Sequence, residues 1–153
     1  SLYYPSELEL LLDEEAEFQI IQVPYNVFDT RFENYFPILK KKNIEIHVRS
    51  IFLQGLLFKK PEELHPQFNK IRKRLIRLNT YSNSFNINIQ SILINHAVIN
   101  PYVDQVIIGV DSLSQLKINM DSINNKNVVE SFYSELEDFK EIDENIILPI
   151  NWK

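Results

Sequence analysis

The chain has no cysteine, which excludes disulfide bonds, thiolate metal ligands and a cysteine nucleophile. It also has no run of about eighteen apolar residues and no signal-peptide pattern, so the sequence indicates neither a membrane span nor secretion. The absence of cysteine is compatible with a reducing compartment. We therefore expect a cytoplasmic protein.

Glycine is almost as scarce, because Gly55 and Gly109 are the only two in the chain. Glycine tolerates a positive φ angle or the close approach of another group to the backbone. Metal-ligand patterns are missing as well, since His65 and His96 have no partner at the spacing that a metal site needs. The sequence predicts no metal site.

The apolar content is sufficient for one domain. With 153 residues and 44% hydrophobic content, the chain can bury about two-thirds of the surface that its unfolded form exposes. The net charge of −5 disfavours a general role in nucleic-acid binding. Two basic clusters, 40–42 and 72–77, lie in helix-patterned stretches. We interpret them as solvated helix faces, with phosphate contacts as the alternative.

Helical and strand patterns alternate along the chain, which is typical of parallel strands joined by crossover helices in an α/β fold. At 86–89 the alternation has the period of a strand, whereas Ile89, Ile92, Leu93 and Ala97 fit a helical stripe. The predicted strands are 18–23, 44–48 and 105–109. The predicted helices are 7–12, 34–42, 67–78, 112–123 and 128–139, with an irregular tail.

Alternation in the second strand places Glu45, His47 and Arg49 on one face and the apolar residues on the other. The apolar face should meet helices. The polar face should point into the interior of a barrel, where Glu45 and His47 are expected to neutralise each other in a buried layer.

Two segments resemble a known family. Residues 47–57 read HVRSIFLQGLL, and residues 106–112 read VIIGVDS, followed by Gln115 and Asn119. They resemble the R/W-S-P-L-x-x-G-L-L loop and the G-x-x-S-x-x-Q-L-x-x-N turn in the C-terminal half of aldo-keto reductases. The start, SLYYPSEL, resembles the segment after the fifth strand in that family. The resemblance covers 1–123, leaves 124–153 as an unsupported helix and tail, and favours a helix at 87–99.

The resemblance implies the C-terminal part of a TIM (β/α)8 barrel, its last three strands with their helices. A complete barrel usually takes about 250 residues. We therefore expect the chain to be a fragment of a longer barrel, with the missing N-terminal half or a second copy as its partner.

The resemblance also implies a nicotinamide dinucleotide held by the two loops. Gln22 would hydrogen-bond the nicotinamide carboxamide, as would Ser1, although a polar residue bonded inside the barrel is the alternative for Gln22. Arg49 would stack on the nicotinamide ring. Three further residues of the first loop would wrap the pyrophosphate: Ser50, Leu53 and Gly55.

In the second loop, which Gly109 opens, Gln115 and Asn119 would bind adenine. Ser112 lies at the helix start, where capping is the alternative to phosphate binding. Asp111 departs from the Ser, Thr or basic residue of many family members. Because a carboxylate repels a 2′-phosphate, Asp111 favours NAD over NADP as cofactor.

Catalytic residues are not predicted in this chain. In the family, a tyrosine assisted by lysine, histidine and aspartate donates the proton, and all four come from the N-terminal half. Tyr3, Tyr4 and Tyr25 do not occupy the matching position. The resemblance implies part of an NAD(P)H-dependent reductase of a small carbonyl substrate, similar to bacterial enzymes of sugar or polysaccharide pathways, and inactive alone. The alternative is a non-catalytic half-barrel that acts as a binding or regulatory module.

Overall fold

The structure, a computed structural model, describes residues 1–153 and contains three parallel β-strands with helices between them. The three strands follow the order β1-β2-β3 in one sheet. The elements are α1 Pro5–Asp13, β1 Ile20–Pro24, α2 Phe36–Lys41, β2 Glu45–Arg49, α3 Arg72–Ser84, α4 Ile89–Ile99, β3 Gln105–Val106, α5 Leu113–Ser122, α6 Lys126–Glu130 and α7 Glu144–Ile147. Short 3-10 helices lie at Glu33–Tyr35, Leu53–Phe58, Pro61–Glu63, Pro66–Ile71, Ile123–Asn125, Tyr133–Phe139 and Pro149–Asn151.

One face of the sheet carries the core. Along β2 the burial alternates, and Ile46 and Val48 are fully buried against the helices. Register places Gln22 of β1 beside His47 of β2, and His47 beside Gln105 of β3. The predicted α/β arrangement and the alternation in β2 are therefore confirmed.

The opposite face of the sheet is open. His47 Nε2 lies 3.2 Å from the Glu45 carboxylate, so the predicted pairing is confirmed. The predicted burial of this layer is wrong, because the Glu45 side chain is 59% exposed. The start of the chain covers Arg49 at one end of this face, and His47 is 20% exposed, so the face is open mainly at Glu45.

Several predicted boundaries differ from the structure. β3 ends at Val106 instead of 109. The Ile107 N–H still donates to the Val48 carbonyl at 2.8 Å, but β2 ends at Arg49 and offers no further partners. The helix predicted at 67–78 begins as a 3-10 turn, Pro66–Ile71, and continues as α3 to Ser84.

The C-terminal region also differs. The helix predicted at 128–139 is interrupted at Phe132, whose ring stacks against Tyr81 at 4.9 Å and Phe85 at 4.6 Å. The prediction of an irregular tail is wrong, because the tail forms α7 and a 3-10 turn. Trp152 anchors this tail by donating to the Ile146 carbonyl at 3.0 Å.

The basic clusters are not simply solvated. Arg74 lies largely buried, donates to the Phe139 carbonyl at 2.9 Å and pairs with Glu141 at 2.5 Å. Lys40 pairs with Asp104 at 2.7 Å. The prediction of solvated faces is therefore wrong for Lys40 and Arg74. Both side chains tie a helix to a distant segment of the chain.

Two buried titratable groups make the fold sensitive to acid. His96 is enclosed between Tyr25 and Tyr133, with ring centroids 5.0 and 5.5 Å away, and burial lowers its pKa to about 4. Burial alone would raise the pKa of Glu141, but hydrogen bonds from Lys70, from the Asp143 N–H and from Arg74 outweigh it and lower that pKa to about 2.

We expect stability to fall as the pH drops below 6.5. The unfolded chain protonates His96 below its ordinary pKa of 6.5, whereas the folded chain does so only below about 4. Each pH unit in this window therefore costs about 1.4 kcal/mol, or roughly 3 kcal/mol over the window. Glu141 extends the loss as the pH falls from 4.5 towards 2. Urea unfolding between pH 7 and 4 measures this dependence.

The matched variants are His96→Phe and His65→Phe. The first should flatten the dependence between pH 6.5 and 4, because phenylalanine keeps the stacking on both tyrosines and has no proton to gain. The second, at an exposed histidine, should keep the full dependence. An unchanged slope in His96→Phe would show that another group is responsible.

Candidate functional site

A cavity of about 640 Å³ lies where β2 and β3 end. The loop after β2, the turn after β3 and one side of α5 form its wall. Eight of the eleven residues predicted to contact a cofactor line it: Arg49, Ser50, Leu53, Gly55, Gly109, Asp111, Gln115 and Asn119. Ser1, Gln22 and Ser112 do not. A second, open cavity of about 660 Å³ lies at the other end of the strands, and none of the predicted residues lines it.

The loop after β2 has an unusual backbone. Ser50, Leu53, Gln54 and Gly55 have φ angles of 61°, 46°, 51° and 80°. Left-handed geometry costs a residue other than glycine roughly 1–2 kcal/mol. Such conformations concentrate at functional sites, where surrounding contacts enforce them. At Gly55 glycine is needed for its φ angle and not for space, because an added Cβ would meet no atom within 4 Å.

Asn26 enforces part of this path. Its side chain is fully buried, and its Nδ2 donates to the Ser50 carbonyl at 3.0 Å. Its Oδ1 accepts from the backbone N–H groups of Phe28 and Asp29 at 2.9 and 3.0 Å. Sequence reasoning missed Asn26, because its partner lies 24 residues away in the next βα loop. The only local signal was an asparagine directly after a buried strand.

The loop has backbone donors without an acceptor, on three residues that line the cavity. The N–H groups of Ser50, Ile51 and Phe52 donate to no acceptor within the chain. Successive free N–H groups in a loop of this kind form a concave site for anions. The side chains of Ile51 and Leu53 are buried in the core and anchor the loop to it.

Arg49 is held by the start of the chain. Its guanidinium donates to Ser1 Oγ at 3.1 Å, to Ser50 Oγ at 3.0 Å and to the Leu2 carbonyl at 3.0 Å. The Tyr3 ring covers one face of the guanidinium at 4.3 Å. Arg49 therefore lies at the cavity with its orientation fixed and one face already stacked.

The turn after β3 leads into α5. Ser112 Oγ accepts from the Gln115 N–H at 3.2 Å, so Ser112 acts as the helix cap and does not line the cavity. Gln115 Oε1 accepts from the Asp111 N–H at 2.8 Å. Asn119 is 9% exposed, and its amide makes no hydrogen bond within the chain. A side-chain amide that lines a cavity and has no partner within the chain is available to a ligand.

Two predicted positions fall elsewhere or have a different character. Gln22 lies on the open face of β1 beside His47, outside the cavity wall. Gly109 lines the cavity without a positive φ angle, and the space beside it is empty. The positive φ angle that glycine permits is therefore used at Gly55 and not at Gly109.

The cavity wall contains no tyrosine, lysine or histidine, and its one carboxyl group is that of Asp111. Tyr25 is fully buried; its hydroxyl donates to Glu33 at 2.7 Å and accepts from Asn100 at 2.9 Å. Burial raises the pKa of Tyr25.

The structure also contains no group of three or more potential metal ligands. No helix is long and apolar enough to cross a membrane.

Comparisons with known proteins address the fold and the family. Two solved structures of aldo-keto reductase AKR11C1 from Bacillus halodurans are similar, each 16% identical in sequence. The apo form has a TM-score of 0.66 over 93% of this chain and 52% of its own. The holo form has a TM-score of 0.65 over 94% of this chain and 51% of its own. The chain thus spans about half the length of these structures.

No curated protein matches the sequence. The model of the aldo/keto reductase family matches residues 1–141, eighteen residues beyond the segment whose motifs carried the resemblance, since 141 less 123 is 18. This match covers far more than half of the chain. The chain therefore belongs to the aldo/keto reductase family.

Proposed function

We propose that this chain forms the dinucleotide-binding side of an NAD(P)H-dependent reductase that converts a carbonyl to an alcohol. The observation that carries the proposal is the convergence of the two loops on one cavity, although their sequences lie about fifty residues apart. A nicotinamide cofactor supplies hydride when bound. The residues of this chain would bind and orient it.

The wall of the cavity fits such a cofactor in its chemistry. The free N–H groups of Ser50–Phe52 suit pyrophosphate oxygens. Gln115 and Asn119 each carry an amide, which can both donate to and accept from the edge of adenine. Arg49 would present its guanidinium to the nicotinamide or the phosphates. Gln22 lies on the open face of the sheet, outside the cavity wall. It would contact the carboxamide only if the nicotinamide extended out of the cavity towards β1.

Titration calorimetry with NADH and NADPH tests the proposal on the chain as it is. We expect saturable binding of at least one dinucleotide. Asn119→Ala should weaken binding about tenfold, because the ligand loses its hydrogen-bond partner, the side-chain amide. Asn124→Ala, an exposed position outside the cavity wall, serves as the control and should bind as the parent chain does. Absence of binding by both dinucleotides would contradict the proposal.

The two glycines should respond differently to alanine. Gly55→Ala should lower the free energy of unfolding by about 1 kcal/mol, because its φ of 80° is unfavourable for alanine. Gly109→Ala should change that free energy by less than about 0.5 kcal/mol, since an added Cβ meets no protein atom. The same Cβ would occupy space in the cavity, so we expect it to weaken dinucleotide binding about tenfold.

Chemical unfolding and calorimetry on both variants measure these effects. A Gly109→Ala chain that binds as tightly as the parent would show that the ligand does not approach this segment. A destabilised Gly109→Ala chain would show that the glycine has a structural role instead.

A further inference from the structure

The cavity wall carries few charged side chains. Among the sixteen residues that line the cavity, Arg49 is the one cation and Asp111 is the one anion. The Arg49 guanidinium already makes three hydrogen bonds to the chain. Lys59 and Lys117, which follow the loop and lie on α5, do not line the cavity. Arg49, at the end of β2, is therefore the one cation that the wall offers, and the turn that carries Asp111 adds none.

Asp111 occupies a defined place beside the polar residues of α5. Its backbone N–H donates to Gln115 Oε1 at 2.8 Å, whereas its carboxylate makes no hydrogen bond or ion pair. Asn119, one turn after Gln115 along α5, is 9% exposed, and its side-chain amide makes no hydrogen bond within the chain. The free carboxylate thus lies next to the part of the cavity that suits adenine, where the attached ribose would be.

From this arrangement we infer that the site takes a dinucleotide with a free 2′-hydroxyl on its adenosine ribose, in preference to the 2′-phosphorylated form. The inference rests on the proposed function. A carboxylate accepts hydrogen bonds from ribose hydroxyls, as the acidic residue of other dinucleotide sites does. A phosphate monoester carries about −1.5 to −2 charges near pH 7, and the carboxylate would repel it. NADH therefore fits the cavity and NADPH does not fit equally well.

Binding of NADH and NADPH to the chain, measured by calorimetry at one fixed low ionic strength, tests this inference. The two ligands differ only in the 2′-phosphate. We expect NADH to bind at least tenfold more tightly. Adenosine 5′-monophosphate and adenosine 2′,5′-bisphosphate form a second pair that differs in the same group. This pair should show the same direction of preference if the adenosine side sets it.

Asp111→Asn is the informative variant, because it removes the charge and keeps the shape of the side chain. We expect it to lower the ratio of NADH to NADPH affinity about tenfold. Asp121→Asn makes the same change in charge on α5, the helix that follows Asp111, at an exposed position outside the cavity wall. It should leave the ratio within about twofold of the parent, because an exposed charge further from the site is screened by salt.

The outcomes separate the inference from the proposed function. If neither dinucleotide binds, the proposed function fails. If both bind equally, or NADPH binds more tightly, the function stands and the inference is wrong. An equal shift of the ratio in Asp111→Asn and Asp121→Asn would also overturn the inference, because net charge and not the position of Asp111 would then set the preference.

Discussion

Purified chain mixed with NADH or NADPH and an aldehyde is expected to show no oxidation of the cofactor that depends on the aldehyde. Carbonyl reduction needs a proton donor near the developing alkoxide, and a positioned acid contributes about 10²- to 10⁴-fold to the rate. The cavity wall has no tyrosine, lysine or histidine to act as that donor. Tyr3 stacks on Arg49, and Tyr25 is fully buried with its hydroxyl bonded to Glu33 and Asn100.

The nicotinamide absorbance, followed with and without aldehyde, measures this expectation. Tyr3→Phe and Tyr4→Phe serve as tests of the nearest exposed hydroxyls. Turnover that requires the aldehyde, survives repurification and is lost in Tyr3→Phe would show that this chain carries its own acid. Binding of the cofactor without turnover agrees with a site that holds the dinucleotide and depends on residues outside this chain for chemistry.

Sequence reasoning succeeds here where the signal is local. The alternation of Glu45 to Arg49 along β2 reflects one strand facing one core, and it is confirmed. At 87–99 the spacing left strand and helix open, and the resemblance favoured a helix. The structure has α4 there, buried on all sides from Ser91 to Ala97, which is why no single stripe decided it.

Features that depend on distant contacts were not predictable. The tail forms helices because Ile147 is buried in the core and Trp152 bonds back to Ile146, although the tail sequence has no clear helical period. Arg74 is buried because Glu141, 67 residues away, pairs with it. Asn26 fixes Ser50 across two βα loops. In each case the partner lies on another element, and no pattern within a short window contains that information.

The predictions for the site also divide into those based on local motifs and those that depend on distant contacts. The two loops were found from spaced motifs, and eight of the eleven predicted positions line one cavity. Ser112 proved to be a helix cap, which its place at the helix start had left as an alternative. Gln22 and the open Glu45–His47 layer were expected inside a closed barrel. The closed barrel was an expectation from the resemblance, and the three strands of this chain do not themselves enclose these side chains.

The largest expected effect concerns the association of this chain with a second copy or another fragment, because one face and one edge of its sheet are uncovered. Parallel sheets are normally covered on both faces and have few free edges. Here the outer edge of β3 is unpaired, and the edge of β1 is covered at one point, where the Leu2 N–H donates to the Gln22 carbonyl at 2.9 Å. On the open face, Ile20 is 53% exposed.

α5 adds a second apolar surface, which we name the α5 stripe. It consists of Leu113, Leu116 and Met120, which share one side of the helix at spacings of three and four residues. Leu113 is 82% exposed and Met120 is 60% exposed. Burying about 400 Å² of apolar surface would contribute roughly 10 kcal/mol at 25 cal/mol per Å². We therefore expect the chain to self-associate or to retain a companion fragment that completes a barrel.

Light scattering at several protein concentrations, with denaturing mass spectrometry for a companion fragment, measures this. Leu113→Glu with Met120→Glu should shift the population towards monomer, because both charges would be buried in the contact. Ile142→Glu with Ile150→Glu is the matched control, since these isoleucines are 85% and 80% exposed and lie outside the stripe. A homogeneous 18.2 kDa monomer with cooperative unfolding in the parent chain would contradict the expectation. It would mean that three strands and their helices are stable with one face of the sheet in water.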